Sequence, residues 1–441
     1  MFITRIGLAC AGILVCASVM GQSPADASGP AGAEVAAQVG GTLSLRQALA
    51  ATLAHNPELA GWQFRNRALQ AQRDSAGLKP ELRLSAEAEN IAGSGDYRGA
   101  QSAELTLALS SVIELGDKRD ARVGVVSERQ AAALIEQRIA QLDLLAEVTR
   151  CFIEAASAQE LLGLQQATRT LAEETARVIK HKVAAGNTPE AEFARAEAQQ
   201  ARAAIAQRQA QLRFENAKTH LAGLWASTTP AFNQVQADLF SLGQIAPLVQ
   251  LQAGLADNPD LRRLASQVRL QDAQLRLAQA QRRADLQWSV GIRRLQASED
   301  SAITLGVSMP LGAPGRARSE IEQARAERAG LDNDQDVAQL RLRNQLSALY
   351  HEREGAVFAA TSLRNKVIPP LTKALHSARA AFEKGRYSYL ELSSAQQELL
   401  DAQAALIDAA TSAHLLRVEI ERLTASTSTA LHFAHTPQVA P

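Results

Sequence analysis

Four short stretches of the chain alternate apolar and polar residues with a period of two. Leu82, Leu84, Ala86 and Ala88 interleave with Arg83, Ser85, Glu87 and Glu89, and Leu105, Leu107 and Leu109 interleave with Thr106, Ala108 and Ser110. Further on, Leu286, Trp288, Val290 and Ile292 interleave with Gln287, Ser289 and Arg293, and Ile303, Leu305, Val307 and Met309 with Thr304, Gly306 and Ser308. Such alternation gives a strand one apolar face and one polar face. After the second strand the period becomes helical. From Asp117 to Val183 there is no proline, and Ile135, Ile139, Leu142, Leu145, Phe152 and Ala156 recur at helical spacing. At about 1.5 Å per residue, that helix is on the order of 100 Å long. A second long segment, Arg316 to Glu383, carries Leu342, Leu346 and Leu349 in the same way. Pro369-Pro370 is expected to kink or interrupt it.

These elements come in two copies about 200 residues apart, a period far longer than that of a solenoid. Asn56-Pro57-Glu58-Leu59 returns as Asn258-Pro259-Asp260-Leu261, and Ala185-Gly186-Asn187 corresponds to Lys384-Gly385-Arg386. The pattern predicts a first repeat over 42–225, with strands at about 82–91 and 104–112 and a helical hairpin tip at about 184–190. A linker over 226–246 leads to a second repeat over 247–425, with strands at about 285–293 and 302–309 and a tip at about 384–389. A flexible lead over 22–41 and a loose tail over 426–441 flank them. Gly186 and Gly385 are the expected left-handed turn positions at the helix ends. Narrow apolar stripes in an Ala-rich background predict a mainly α protein whose long helices pack as coiled coils.

The N-terminus has another pattern. Arg5 precedes an apolar run from Ile6 to Met20, followed by small and polar residues. This predicts a secretory signal peptide over 1–21, with cleavage after Gly21 or Ala27. The run is shorter than the roughly 20 residues of a spanning helix. Cys10 and Cys16 fall inside it, so the mature chain keeps Cys151 and forms no intramolecular disulfide. No later stretch reaches spanning-helix length, so an exported chain crossing an outer membrane has to do so as a barrel. Four strands do not close one, because about eight are needed. The free edges then require other copies of the chain: a dimer supplies eight strands and a trimer twelve. Lys+Arg and Asp+Glu each total 46 in 441 residues, leaving no basic excess for nucleic acid. Aromatic residues are only 4% against 46% hydrophobic, which suits close packing of small-residue helices better than one thick core.

Over essentially the whole mature chain these residues resemble the TolC family of outer-membrane efflux proteins. Leu43-Ser44-Leu45-Arg46-Gln47-Ala48-Leu49, followed by Asn56-Pro57, resembles the family's opening motif. The strand-to-helix passage Ile113-Glu114-Leu115-Gly116-Asp117-Lys118-Arg119 is similar to the CzcC-like branch, which serves heavy-metal efflux. Glu383-Lys384-Gly385-Arg386-Tyr387-Ser388-Tyr389-Leu390-Glu391-Leu392 resembles the turn joining long helices at the periplasmic end. The resemblance implies a homotrimer with a twelve-stranded β-barrel in outer-membrane lipid and a long α-barrel reaching into the periplasm. It implies a periplasmic adaptor (membrane fusion protein) and an inner-membrane RND pump as partners. It also implies a passive exit duct without enzyme activity or cofactor, carrying divalent heavy-metal cations. Drug efflux and type I secretion stay open as alternatives, because substrate choice resides largely in the pump. A structural periplasmic coiled coil and a metal-binding periplasmic scaffold are the readings outside that class.

Glu192 lies six positions after Gly186, and Glu391 six after Gly385. The resemblance gives these acids a place around the periplasmic aperture, where carboxylate rings favour cations. The plainer reading is two solvated glutamates at helix starts, favoured by the helix dipole. Ser394 stands where many relatives place a second acid. The resemblance also implies adaptor docking by the tips, at Gly186, Asn187, Thr188, Gly385, Arg386 and Ser388. It implies gate contacts at Phe382 and Tyr387. No metal site is assigned, since His432 and His435 stand three apart without Cys or carboxylate neighbours. No phosphate loop, nucleophile elbow or triad spacing is found.

Overall fold

The computed structural model describes residues 41–425. The predicted signal peptide, its Cys10 and Cys16, the lead up to residue 40, and the tail with His432 and His435 lie outside the described residues. The first repeat runs β1 (Gly41–Ser44), α1 (Leu45–His55), α2 (Pro57–Ala76), β2 (Arg83–Glu89), β3 (Glu104–Ile113), α3 (Lys118–Ala184) and α4 (Glu190–Gly223). After β4 (Phe232–Gln236), the second runs α5 (Leu248–Gly254), α6 (Pro259–Ala280), β5 (Leu286–Leu295) and β6 (Ser301–Ser308). It ends with α7 (Ala313–Ser362), a π-helical turn (Leu363–Val367), α8 (Ile368–Glu383) and α9 (Tyr389–Leu423).

The repeated Asn-Pro pair has a specific physical job. Asn56 Oδ1 accepts from the N–H groups of Glu58 and Leu59 at 2.9 and 3.2 Å, while Pro57 fills a first-turn position that needs no N–H. The Asn56 amide then donates 2.9 Å to the Leu224 carbonyl just past α4. Asn258 does the same, capping Asp260 and Leu261 at 2.8 and 3.3 Å and donating 2.7 Å to the Leu423 carbonyl at the end of α9. One side chain thus caps the helix that starts a repeat and satisfies a carbonyl of the helix that ends it.

Strands β2, β3, β5 and β6 form one antiparallel sheet in that order, so β3 and β5 join the two repeats. The register aligns Leu84, Leu109, Val290 and Leu305 in one row, and Ser85, Ala108, Gly291 and Thr304 in the row beside it. Side-chain period two therefore puts an apolar band on one face and a polar band on the other. The apolar band is uncovered within the chain: Leu84 is 69% and Leu305 79% exposed. The outer edges of β2 and β6 have no strand partner among the described residues.

The segment over 226–246 that joins the repeats carries packed structure of its own. Its strand β4 pairs in parallel with β1, Leu43 opposite Val235 and Ser44 opposite Gln236, and Gly41 of the predicted lead belongs to β1. Leu43, Phe232 and Val235 are buried with Val148, Phe152, Leu221 and Trp225. The Gln159 amide clamps Val235 from both sides, accepting from its N–H at 2.9 Å and donating to its carbonyl at 3.2 Å. Beyond β4, the Arg353 guanidinium, itself buried, donates to the carbonyls of Leu242 and Gly243 at 2.8 and 2.7 Å. Apolar burial and long-range hydrogen bonds thus fix a segment that has no periodicity of its own.

Helix α3 is 67 residues long, about 100 Å at helical rise. It packs along α2, α4, α6 and α9, burying Ile139, Leu144, Val148, Phe152 and Ala156. Pro369 and Pro370 sit in the first turn of α8, and the irregularity lies one turn before them, in the π turn. A proline removes an N–H and crowds the carbonyl four residues back, so the ladder widens on its N-terminal side. Among the described residues, no helix is long and apolar enough to cross a membrane.

Candidate functional site

The two hairpin tips are built by the same turn. Helix α3 ends with Gly186 at φ +74°, whose N–H reaches the Val183 carbonyl at 2.9 Å, while Asn187 N–H reaches Lys182 at 2.9 Å. Helix α8 ends with Gly385 at φ +70°, whose N–H reaches Phe382 at 3.0 Å, while Arg386 N–H reaches Ala381 at 2.9 Å. This paired bonding is the Schellman motif, which satisfies the last helix carbonyls and needs a left-handed residue at the turn. An added Cβ on either glycine would meet nothing within 4 Å, so backbone conformation rather than space calls for glycine. In both tips the next helix starts four residues after the glycine, at Glu190 and Tyr389.

All four helices of the two tips share one small core. Ala176, Ile179, Ala196, Ala378, Phe382, Tyr389 and Leu392 are buried together, with Val183, Phe193, Leu375 and Ala395 packed around them. The Lys182 ammonium crosses between the tips, donating 2.7 Å to the Phe382 carbonyl and lying 4.2 Å from the centre of the Phe382 ring. The two residues with predicted gate contacts part company here. Phe382 is 5% exposed inside the shared core, whereas Tyr387 is 47% exposed at the tip. Tyr389 was missed from sequence, although its ring is buried in this core and burial raises its phenol pKa. Its position two residues after the half-exposed Tyr387 gave no signal to separate them.

Glu192 and Glu391 occupy the same third position of α4 and α9 but have different surroundings. The Ser388 N–H donates 2.6 Å to the Glu391 carboxylate, and the Ser388 hydroxyl also donates to it. The hydroxyl first and the N–H second hold the Glu391 carboxyl below the ordinary carboxylate range. At the first tip Pro189 replaces that serine, and no side chain caps α4. Glu192 is half-buried, while Glu391 is exposed. Of the predicted tip residues, Gly186, Asn187, Gly385, Arg386 and Ser388 are exposed and Thr188 is half-buried. Ser394 is exposed, 3.4 Å from the Glu398 carboxylate. Far from the tips, Cys151, Glu154 and His220 bring a thiol, a carboxylate and an imidazole within 4.8 Å of one another, a grouping absent from the sequence reading.

The profile of the family described as "Outer membrane efflux protein" matches residues 48–227 and 251–426, one segment per repeat. The chain is 24% identical over 298 residues to the cobalt-zinc-cadmium resistance protein CzcC of Cupriavidus metallidurans, covering 68% of this chain and 71% of that one. It is 26% identical over 272 residues to the nickel and cobalt resistance protein CnrC of the same organism, covering 60% and 62%. Crystal structures of CusC superpose with a TM-score of 0.72 over 86% of this chain and 91% of that chain, at 15% identity. At that identity the superposition speaks for the fold.

Proposed function

The chain belongs to the outer membrane efflux protein family, and from that premise we propose that it forms the passive exit duct of a tripartite RND pump for divalent heavy-metal cations. One observation carries the membrane-to-periplasm layout: the sheet with the uncovered apolar face and the hairpin tips sit at opposite ends of the 67-residue helix α3. An apolar face on a strand is stable against lipid, provided every edge is paired. Four strands cannot pair their own outer edges, and three copies supply the twelve of a closed barrel. The count admits two or three copies, and the family resemblance favours the homotrimer. The α-helices extend from such a barrel into the periplasm, and the tips present Gly186, Asn187, Thr188, Gly385, Arg386 and Ser388 to an adaptor.

The reading of the cargo as metal cations rests on the names of two relatives, CzcC and CnrC, and on the acids at the tips. In a trimer, Glu192 and Glu391 contribute six carboxylates at one level, and such a ring concentrates cations and repels anions. Energy comes from the pump, and the chain itself catalyses no reaction. Cells lacking this chain but keeping the pump are expected to retain more zinc, cobalt or cadmium after loading, with recovery on re-expression. Unchanged metal with raised retention of dyes and antibiotics would make it a drug duct instead. A soluble monomer affecting neither would leave only the structural coiled-coil reading.

A further inference from the structure

Helices α3 and α4 meet near the end of α4, far from the tips, where donors of three kinds converge. Cys151 and Glu154 stand at i and i+3 on α3 and so share a face. His220 comes from the last turn of α4. Cys151 Sγ lies 3.6 Å from His220 Nδ1 and 3.5 Å from a Glu147 carboxylate oxygen. From this geometry we propose that Cys151, His220 and Glu154 bind one borderline-soft divalent cation of the zinc and cobalt class. The fourth position is left to Glu147 or water, and the bound ion staples α3 to α4.

Bond lengths support the fit. With zinc–sulfur near 2.3 Å and zinc–nitrogen near 2.0 Å, two ligands of a tetrahedral ion stand about 3.5 Å apart. The thiol and imidazole are already at that spacing. Glu154 completes the set by a rotamer change, since its side chain is exposed. A thiolate, an imidazole and a carboxylate together select zinc and cobalt over magnesium and calcium, which take oxygen ligands. Access is one-sided. Cys151 is 2% exposed and backed by the core of Val148, Phe152 and Leu221, whereas His220 and Glu154 face solvent.

Burial, followed by the nearby Glu154 charge, pushes the Cys151 thiol up to about 11, against the opposing pull of Arg150. The metal-free thiol therefore keeps its proton at neutral pH. On binding, a sulfur lone pair forms the metal–sulfur bond as the S–H bond breaks, and its proton passes to solvent. Arg150, the cation beside the site, is occupied by Glu147 and by Glu419 of α9, so little positive charge is left to repel the ion.

The site stands independently of the exported cargo: metal retention by cells tests the duct, and metal binding by the purified chain tests the site. The full chain, purified in detergent and stripped with EDTA, is titrated with CoCl2 and then ZnCl2. One cobalt per chain is expected, with a thiolate-to-cobalt charge-transfer band and tetrahedral visible bands that zinc bleaches. Cys151→Ser should remove the charge-transfer band. His220→Ala and Glu154→Gln alter solvent-facing positions that leave the fold intact, and each should weaken zinc binding at least about tenfold. No cobalt band at stoichiometric metal, or zinc binding equal to that of the parent chain in His220→Ala and Glu154→Gln, would overturn the site and leave a thiol–imidazole hydrogen bond.

Discussion

Lys182 and Phe382 stand 200 residues apart in the chain, yet the lysine donates 2.7 Å to the phenylalanine carbonyl and packs 4.2 Å from its ring. The same carbonyl accepts the Gly385 N–H that closes the second turn. The cross-repeat tie is therefore anchored on the turn itself and resists separation of the two tips. Lys182→Met keeps the stem and removes both the hydrogen bond and the cation–π contact, a loss of about 1 kcal/mol at a half-buried position. Bilayer recordings of the variant are expected to show a larger open fraction. Gating identical to the parent chain would mean that this tie does not hold the mouth.

Ser388→Ala removes the hydroxyl that donates to Glu391. That carboxyl titrates below its ordinary value in the folded chain, so its contribution is complete above the unfolded pKa and lost as pH falls through the folded one. The relevant window is thus the acid side of the ordinary glutamate range. Ser388→Ala should move the Glu391 titration upward, so that cation current falls off at a higher pH than in the parent chain. Carbon NMR of the Glu391 carboxyl checks the direction; a shift downward or no shift would contradict the capping account.

Asn258→Ala is expected to destabilise the chain more than Asn56→Ala. Both lose a helix cap and a hydrogen bond to a distant carbonyl, but Asn258 is fully buried and leaves the Leu423 carbonyl without solvent. Cap loss costs about 1 kcal/mol and an unsatisfied buried group about 1–3 kcal/mol more. Denaturant unfolding of the two variants should rank them in that order.

Arg353→Lys tests the anchoring of the segment after β4. One terminal nitrogen of the guanidinium donates to the carbonyls of Leu242 and Gly243 together, and the shorter lysine side chain does not carry its ammonium as far. Faster amide exchange is expected over residues 232–243, with the hairpin tips unchanged. Uniform exchange across the chain would show that the segment is held by its apolar residues alone.

The strands were legible because each keeps one face apolar and the sheet overrides nothing: Leu84, Leu109, Val290 and Leu305 align as their alternation implies. Gly186 and Gly385 were legible because only a left-handed turn residue ends two long helices at matching places. The pair β1–β4 was not, since five residues of β4 carry no period and their partner Leu43 is brought in from the opening of the chain. The helix irregularity was read at Pro369-Pro370 but lies one turn earlier, because proline disturbs the carbonyls that precede it. At the candidate site, the matching acids were visible by spacing. Their difference was not, since it depends on Ser388 standing where the first tip has Pro189. Nothing along the chain links Cys151 to His220, which the packing of α3 on α4 alone brings together.

The proposed function is a cation-conducting duct with Glu192 and Glu391 at its mouth. It is tested most directly by the reversal potential of the purified protein in a planar bilayer under a zinc chloride gradient. The expected sign is that of cation preference, reduced in the Glu192→Gln, Glu391→Gln double variant. An anion-selective potential, or the same cation preference in the double variant, would contradict it.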